Sequence, residues 1–382
     1  MILLVAPFDG SNPENSPFIA ASKKIHLIIY TLSKIDEDLV LLNSSHWAKS
    51  TNNFKIETKF TYLNCKIQII TPPTFRFHFF GKLINLFTIK SIYSKVITVF
   101  GKPKFIWLYN AYAFESKFAN YAKKCLKNEI KIILEFEDWH FARSRGINPK
   151  PFLDWFFWKK LLNNIDYSFT VNKYLQNKID DYVKNNYLLP GLINNDVINE
   201  NINNQAFSNN IISIGYFGGL TTEKGAKFIL DLMKEDFNIN IKFIICGNGD
   251  LSDDFRKFSL NYPNILEYYG TIGEDELNIK YKSIDIILNP HSDNNGVFPF
   301  KVIEALAMKK LLISTKLNLN GFDWLSDAIV FSELSITDFK LAINNSYDLF
   351  KEKKPILNEI STNILEKYSC NSLFRYLNNN IY

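Results

Sequence analysis

Two stretches in the later half of the chain carry residue types at spacings suited to holding an anion and a vicinal diol. The first is Gly215-Tyr216-Phe217-Gly218-Gly219-Leu220-Thr221-Thr222-Glu223-Lys224-Gly225. The apolar residues before it predict a strand over 211–217, and those after it a helix over 224–235, so the glycines fall in the turn. Backbone N–H groups at a helix start lack intrahelical partners, and the helix dipole adds positive potential there. Gly218 and Gly219 let an anion approach the backbone, and Lys224 adds a point charge. A partly desolvated lysine–phosphate hydrogen bond contributes about 1.5–3 kcal/mol. The alternative is a solvated turn with a surface lysine. The stretch has neither the G-K-[ST] of a Walker loop nor a full G-x-G-x-x-G.

The second stretch is Asn289-Pro290-His291-Ser292-Asp293-Asn294-Asn295-Gly296-Val297-Phe298-Pro299-Phe300-Lys301-Val302-Ile303-Glu304-Ala305-Leu306-Ala307. A buried strand ends at Asn289, a polar loop follows, and Pro299 stands where a helix would start. Glu304 lies about a turn into that helix, flanked by Val302, Ile303, Leu306 and Ala307. A carboxylate held among such neighbours needs hydroxyl or N–H donors. A ribose cis-diol offers two hydroxyls, with the loop amides left for phosphates. The alternative is a carboxylate satisfied by the protein's own amides.

These stretches need a scaffold, and the rest of the chain predicts one. Short β-branched runs alternate with longer helical stretches, the pattern of βα units and a parallel sheet. In the first half the runs are 2–6, 39–43, 66–70, 105–109, 131–136 and 167–171, with a further strand ending near Pro190-Gly191. The stretch 194–210 is rich in Asn and poor in periodicity, and reads as a linker. Beyond it strands are predicted at 211–217, 241–246, 265–269, 284–289 and 311–315, with helices at 253–261, 275–282 and 300–308. Ligands of such sheets bind at the carboxyl ends of the strands, and two such domains facing each other make a cleft.

On these residues the second half resembles the nucleotide-sugar domain of the GT-B glycosyltransferases, most of all the retaining glycosyltransferase family 4. The stretch 217–225 is similar to that family's G-R-x-x-x-E-K-G, and Phe243-Ile244-Ile245-Cys246-Gly247-Asn248-Gly249 to its strand ending in G-x-G. Tyr269-Gly270 precedes a short helix and the strand 285–290. Glu304-Ala305-Leu306-Ala307 is similar to the end of its E-x7-E motif, and the likeness covers about residues 205–320. It implies a sugar-nucleotide donor. Glu304 would hold the ribose and Lys224 would neutralise the departing diphosphate. Gly218, Gly219, Gly247 and the amides of Asn295, Gly296, Val297 and Phe298 would surround the phosphates, and Tyr268, Tyr269 and Gly270 would flank the base. Two positions depart from the pattern. The usual arginine is Gly219, and the first glutamate of E-x7-E is Gly296. Lys301, in a run resembling an F-P-S-K variant, is the candidate for the missing charge.

Acceptor residues are expected in the first half. Leu134-Glu135-Phe136-Glu137-Asp138-Trp139-His140 ends a strand where family members often place a His-Asp pair, which points to Glu137, Asp138 and His140. Asp9 and Gly10 follow the first strand, where the acceptor loop would lie, and Asp138 is the candidate for a catalytic role there. Tyr109-Asn110 is a weaker candidate. Asp36-Glu37-Asp38 has the D-x-D spacing of a metal site in the other large transferase fold, but it precedes a strand and reads as solvated acid. No His/Cys cluster suggests a metal, and neither a metal nor another cofactor is expected.

The 382 residues carry 44 Lys+Arg against 39 Asp+Glu, and the charge is unevenly spread. Residues 1–190 hold 26 basic and 15 acidic residues, the remainder 18 and 24, so different partners are expected for the two halves. Collagen-like, disordered and disulfide-scaffold classes are excluded by 15 Gly, 13 Pro and 15% aromatic residues. No apolar run approaches the roughly 20 residues of a membrane span. Within 51–190 the aromatic runs 75–87 and 152–160 stand beside lysines, which suits a headgroup interface of anionic lipid. No known nucleic-acid module appears, so nucleic acid is not an expected partner. Four separated cysteines without CxxC are expected to be reduced and buried, and the N-terminus reads as a strand and not a signal peptide. The expected location is cytoplasmic, extending to the inner face of the plasma membrane.

Together these features predict an α/β chain of GT-B architecture, two doubly wound parallel-sheet (Rossmann-like) domains facing across a cleft. Residues 1–193 would form the acceptor domain, 194–210 the linker, 211–362 the donor domain, and 363–382 a helix returning to the first domain. The implied activity is metal-independent, retaining hexosyl transfer from a UDP- or GDP-sugar to a glycan or lipid-linked glycan, in lipopolysaccharide or capsule synthesis. The alternatives are a GT-B nucleotide-sugar epimerase and a binding protein that kept the fold and lost catalysis.

Overall fold

Short runs of Ile, Leu and Val with no polar alternation can be satisfied only where both faces of a sheet are covered, and they form the central strands here. The computed structural model describes residues 1–8, 19–44, 53–61, 63–73, 84–139, 141, 149–195, 198, 207, 210–291 and 299–382. They divide into two compact units, Met1–Leu192 with Cys370–Tyr382, and Ile193–Ser369.

The first unit holds strands β1 (Ile2–Ala6), β2 (Leu39–Asn43), β3 (Lys55–Phe60), β4 (Lys66–Thr71), β5 (Phe105–Tyr109), β6 (Lys131–Phe136), β7 (Tyr167–Thr170) and β8 (Asn185–Leu188). Their order is β3-β4-β2-β1-β5-β6-β7-β8, parallel except for β3. One sheet face presents Leu3, Val5, Ile106, Leu108, Ile132 and Leu134 to helices Ile89–Phe100, Ala113–Leu126 and Pro149–Leu161, which pack side by side. Residues alternating with these point the other way. There Trp107 stacks on Phe169 at 5.2 Å, and Tyr376 of the last helix, Cys370–Asn380, meets Phe169 and Tyr187. That helix packs against the first one, Ile19–Ser33.

The second unit is an all-parallel sheet of β9 (Ile212–Phe217), β10 (Ile241–Cys246), β11 (Leu266–Gly270), β12 (Ile286–Asn289), β13 (Leu311–Ser314) and β14 (Ile329–Phe331). The order β11-β10-β9-β12-β13-β14 reverses direction between β9 and β12.

Several elements differ from expectation. β3 pairs antiparallel at the sheet edge, where its K-I-E-T-K-F sequence leaves most side chains wet, and so it lacks the apolar run that marks the central strands. β14 has only three residues. The helix Ser346–Tyr368 was not anticipated, because lysines and an internal Pro355 mask its buried positions Leu357, Ile360, Ser361 and Ile364. The helix expected from residue 224 begins at Ala226, because Gly225 adopts φ +81° and ends the preceding turn. Cys246 and Cys370 are buried, but Cys65 is half-buried and Cys125, on the solvent side of its helix, is exposed. No helix among the described residues is long and apolar enough to cross a membrane.

Candidate active site

Every strand of the second sheet ends on the same edge, and the β9/β12 reversal is where α/β sheets open a crevice for ligands. Backbone packing draws the loops together at this edge. Gly218 N donates to Cys246 O at 3.0 Å, and Gly247 N to Gly270 O at 2.7 Å. A Cβ on Gly247, at φ +144°, would lie 1.8 Å from Gly218 O, and one on Gly225 would lie 2.0 Å from Pro290 O. The glycine turn after β9 is therefore pressed directly against the ends of β10 and β12.

Lys224 sits in that turn, two residues before the helix, and not within the helix as the sequence suggests. Its Nζ lies 3.0 Å from where a Gly219 Cβ would be, so the absence of a side chain at 219 leaves room for the lysine. Tyr216 is wholly buried, with its hydroxyl within donating reach of Gly219 O (2.9 Å) and Lys224 O (3.1 Å). The Lys301 ammonium stands 4.6 Å from the centre of the Tyr216 ring. Burial, and then the nearby charge of Lys224, lower the Lys301 pKa to about 7. One lysine from the glycine turn and one from the first turn of helix Phe300–Ala307 thus share one corner.

Glu304 lies one turn after Lys301 on helix Phe300–Ala307, whose Val302, Ile303, Ala305, Leu306 and Ala307 are buried. Glu304 itself is half-exposed and does not enter the core. The Tyr281 hydroxyl donates to Glu304 Oε2 at 3.4 Å, and the Tyr281 ring packs edge-on against Phe217 at the end of β9. Tyr268 donates to Gly247 O at 3.1 Å, whereas the Tyr269 hydroxyl pairs with Glu267 and its ring lies beneath Lys280 at 3.6 Å. Of the two tyrosines, Tyr268 reaches the Gly247 loop after β10. Gly270 closes β11 at φ +65°. The structure therefore brings Gly218, Gly219, Lys224, Gly247, Gly270, Lys301 and Glu304 to one edge. Asn295, Gly296, Val297 and Phe298 lie outside the described residues.

In the first unit Glu137 and Asp138 follow β6 and are half-exposed. Asp138 N donates to Asn110 Oδ1 at 3.4 Å, and Asn110, at φ +66° after β5, donates its N–H to Glu135 O at 2.7 Å. Burial raises the Glu137 carboxyl to about 7, against the pull of Lys24. Asp9, Gly10 and His140 lie outside the described residues. Asp36 is a structural acid, 3.2 Å from Lys104 and 3.7 Å from the N-terminal ammonium. Among the described residues no group of three His, Cys, Asp or Glu is placed to hold a metal.

Tyr216, Tyr281 and Lys24 are not among the residues that the sequence singles out. Tyr216 stands in an otherwise apolar strand, which is a signal, whereas Tyr281 lies in the polar helix Glu274–Ser283 and Lys24 beside Ser22, Lys23 and His26, where no local pattern marks them. The aromatic run 152–160 divides by helical face. Trp158 is buried and stacks on Phe136 at 4.9 Å, while Phe152, Trp155 and Phe156 are exposed. Lys159 lies 4.1 Å over Trp155, Lys160 4.0 Å over Phe156, and Lys117 5.6 Å from the exposed Phe87.

Residues 212–345 match the family described as Glycosyl transferases group 1. An uncharacterized glycosyltransferase of Methanocaldococcus jannaschii is 28% identical over 162 residues, 42% of this chain and 43% of that protein, so the match spans less than half of the relative. Among solved structures, the Anabaena protein HepE in complex with UDP superposes with a TM-score of 0.65 at 9% identity, covering 99% of this chain and 98% of that one. Sucrose-phosphate synthase from Thermosynechococcus elongatus gives 0.64 at 11% identity, covering 98% and 97%. Residues 212–345 therefore match a Glycosyl transferases group 1 domain, and the chain has the two-sheet fold of GT-B glycosyltransferases.

Proposed function

We propose that this chain transfers a hexosyl unit from a UDP- or GDP-sugar to a hydroxyl of a glycan or lipid-linked glycan, with retention, in the synthesis of lipopolysaccharide, capsule or a similar cell-surface polysaccharide. The observation that carries the reading is the meeting of the glycine turn, Lys224, Lys301 and Glu304 at the β9/β12 reversal. Glu304 accepts the ribose hydroxyls, and Tyr281 holds it at its other side. As the anomeric bond breaks, charge gathers on the diphosphate. Lys224 and Lys301 stabilise it from fixed positions, which matters most where the charge is newly formed. An incoming diphosphate also favours the protonated form of Lys301. With two cations in place the reaction proceeds without a bound metal. Loop residues Asn295, Gly296, Val297 and Phe298 complete the phosphate site, and Tyr268, Tyr269 and Gly270 flank the base. The complex of the similar Anabaena protein with UDP makes uridine the first base to test.

The first unit is the acceptor side, with Glu137 and Asp138 accepting hydrogen bonds from acceptor hydroxyls, Asp138 in the catalytic role, and Asp9, Gly10 and His140 nearby in sequence. The exposed Phe87, Phe152, Trp155 and Phe156 beside Lys117, Lys159 and Lys160 suit peripheral contact with anionic lipid at the cytoplasmic face of the membrane. A screen of nucleotide sugars for binding and slow hydrolysis tests the reading. It expects one UDP- or GDP-sugar to bind and release nucleotide diphosphate. Binding of no nucleotide would overturn it. Gly219, in place of a cation, favours the second reading, a binding protein without turnover. Binding without hydrolysis or transfer would support that one.

A further inference from the structure

Glu135 and Glu137 stand two positions apart at the end of β6, so their side chains leave on one face, that of Trp107 on β5. Helix Ile19–Ser33 covers this face and brings in Lys24, which is buried. Its Nζ lies 2.8 Å from Glu135 Oε1, hydrogen-bonds Glu137 Oε1, and reaches Leu189 O at 3.3 Å. Those three partners match the three donors of an ammonium. Glu135 has no exposure, and its second oxygen accepts from Trp107 Nε1 at 3.1 Å. Glu137 keeps 18% of its side chain in solvent. One end of the cluster is thus anchored in the core and the other meets water beside Asp138. A single buried acid would have sufficed to pair the lysine.

We propose that Lys24 is a positioning residue that, braced on Glu135 and the Leu189 carbonyl, fixes the Glu137 carboxylate to accept a hydroxyl of a polyhydroxylated acceptor. The inference rests on the first unit being the acceptor side. The charged and titratable groups facing Glu137 are Lys24 from the first helix, Glu135 and Asp138 from its own segment, and Tyr109 from β5. Burial raises the Glu137 carboxyl to about 7, Lys24 opposes the rise, and Glu135 and Asp138 add to it. Loss of Lys24 removes the opposing charge, so Glu137 holds its proton to higher pH and the acidic limb of transfer moves upward.

The test uses the full chain, with UDP-glucose as donor and n-octyl β-D-glucopyranoside as probe acceptor. Lys24→Met leaves Glu135 buried without a counter-charge, so Lys24→Met/Glu135→Gln is made beside it to keep the fold. The carboxyl of Glu137 is followed by carbon-13 NMR, assigned with Glu137→Gln. The expected result is an acceptor KM raised about tenfold with UDP affinity unchanged. In Lys24→Met the Glu137 titration and the acidic limb both move up by about one pH unit, by less in Lys24→Met/Glu135→Gln because the Glu135 charge is gone as well, and Lys24→Arg keeps both where the wild type has them. A lowered kcat with unchanged acceptor KM and an unmoved titration overturns the positioning role while leaving UDP binding intact. Wild-type protein that binds neither UDP nor GDP overturns the reading beneath it.

Discussion

Lys224 in the glycine turn and Lys301 on helix Phe300–Ala307 converge, and the charge of Lys224 adds to burial in disfavouring the Lys301 ammonium, which an anion bound beside it would reverse. Burial, and then the charge of Lys224, lower the Lys301 pKa to about 7, which favours the ammonium below that pH and the neutral amine above it. UDP affinity is therefore expected to strengthen as pH falls through 7. Calorimetry across pH 6–8 should show that dependence in the wild type and its loss in Lys301→Met. Glu304→Ala and Lys224→Ala should each weaken UDP-sugar binding by about 10–100-fold, the worth of a charged hydrogen bond. Both positions lie at the water-exposed edge, so melting temperatures should stay within a few degrees of wild type. Full turnover in either variant would remove the assigned roles.

The donor edge is assembled by contacts between loops more than by any one helix. Helix Ala226–Leu232 is short, and its start is fixed by Gly225 pressed on Pro290. Gly225→Ala would place a methyl in that backbone and in a left-handed conformation, at a cost of about 2–4 kcal/mol. Denaturant unfolding should show the loss, together with weaker UDP binding, because the Lys224 turn and the β12 loop would part. Wild-type stability would mean that this contact yields freely. Tyr216 connects the same turn to Lys301, its hydroxyl on the turn's carbonyls and its ring beside the Lys301 ammonium.

Across the whole chain, charge is unevenly divided. The basic excess lies in the first half, and the exposed aromatic side chains beside lysines gather on helices of the first unit. Each lysine near an anionic surface contributes about 1 kcal/mol, screened by salt. Lys159→Glu/Lys160→Glu should lower partitioning onto phosphatidylglycerol vesicles by tenfold or more, on the order set by that contribution. Trp155→Ser/Phe156→Ser should weaken binding even at low salt. Equal sedimentation of all variants with vesicles would remove the membrane role.

The parallel order of strands such as Ile2–Ala6 and Ile286–Asn289 was legible in sequence, because a strand buried on both faces must be apolar throughout. The place of the glycine at 247, at a strand end that another backbone approaches too closely for a side chain, was legible, as was an acid at 304 in an otherwise apolar helix. What sequence could not determine was which side chains meet across elements distant along the chain. Lys24 and Glu137 are 113 residues apart, and Tyr281 and Glu304 are on different helices. The edge strand β3 and the helix carrying Pro355 were also beyond local pattern, since their burial depends on what packs beside them. Periodicity records how a segment is buried, and only the folded chain decides against which partner.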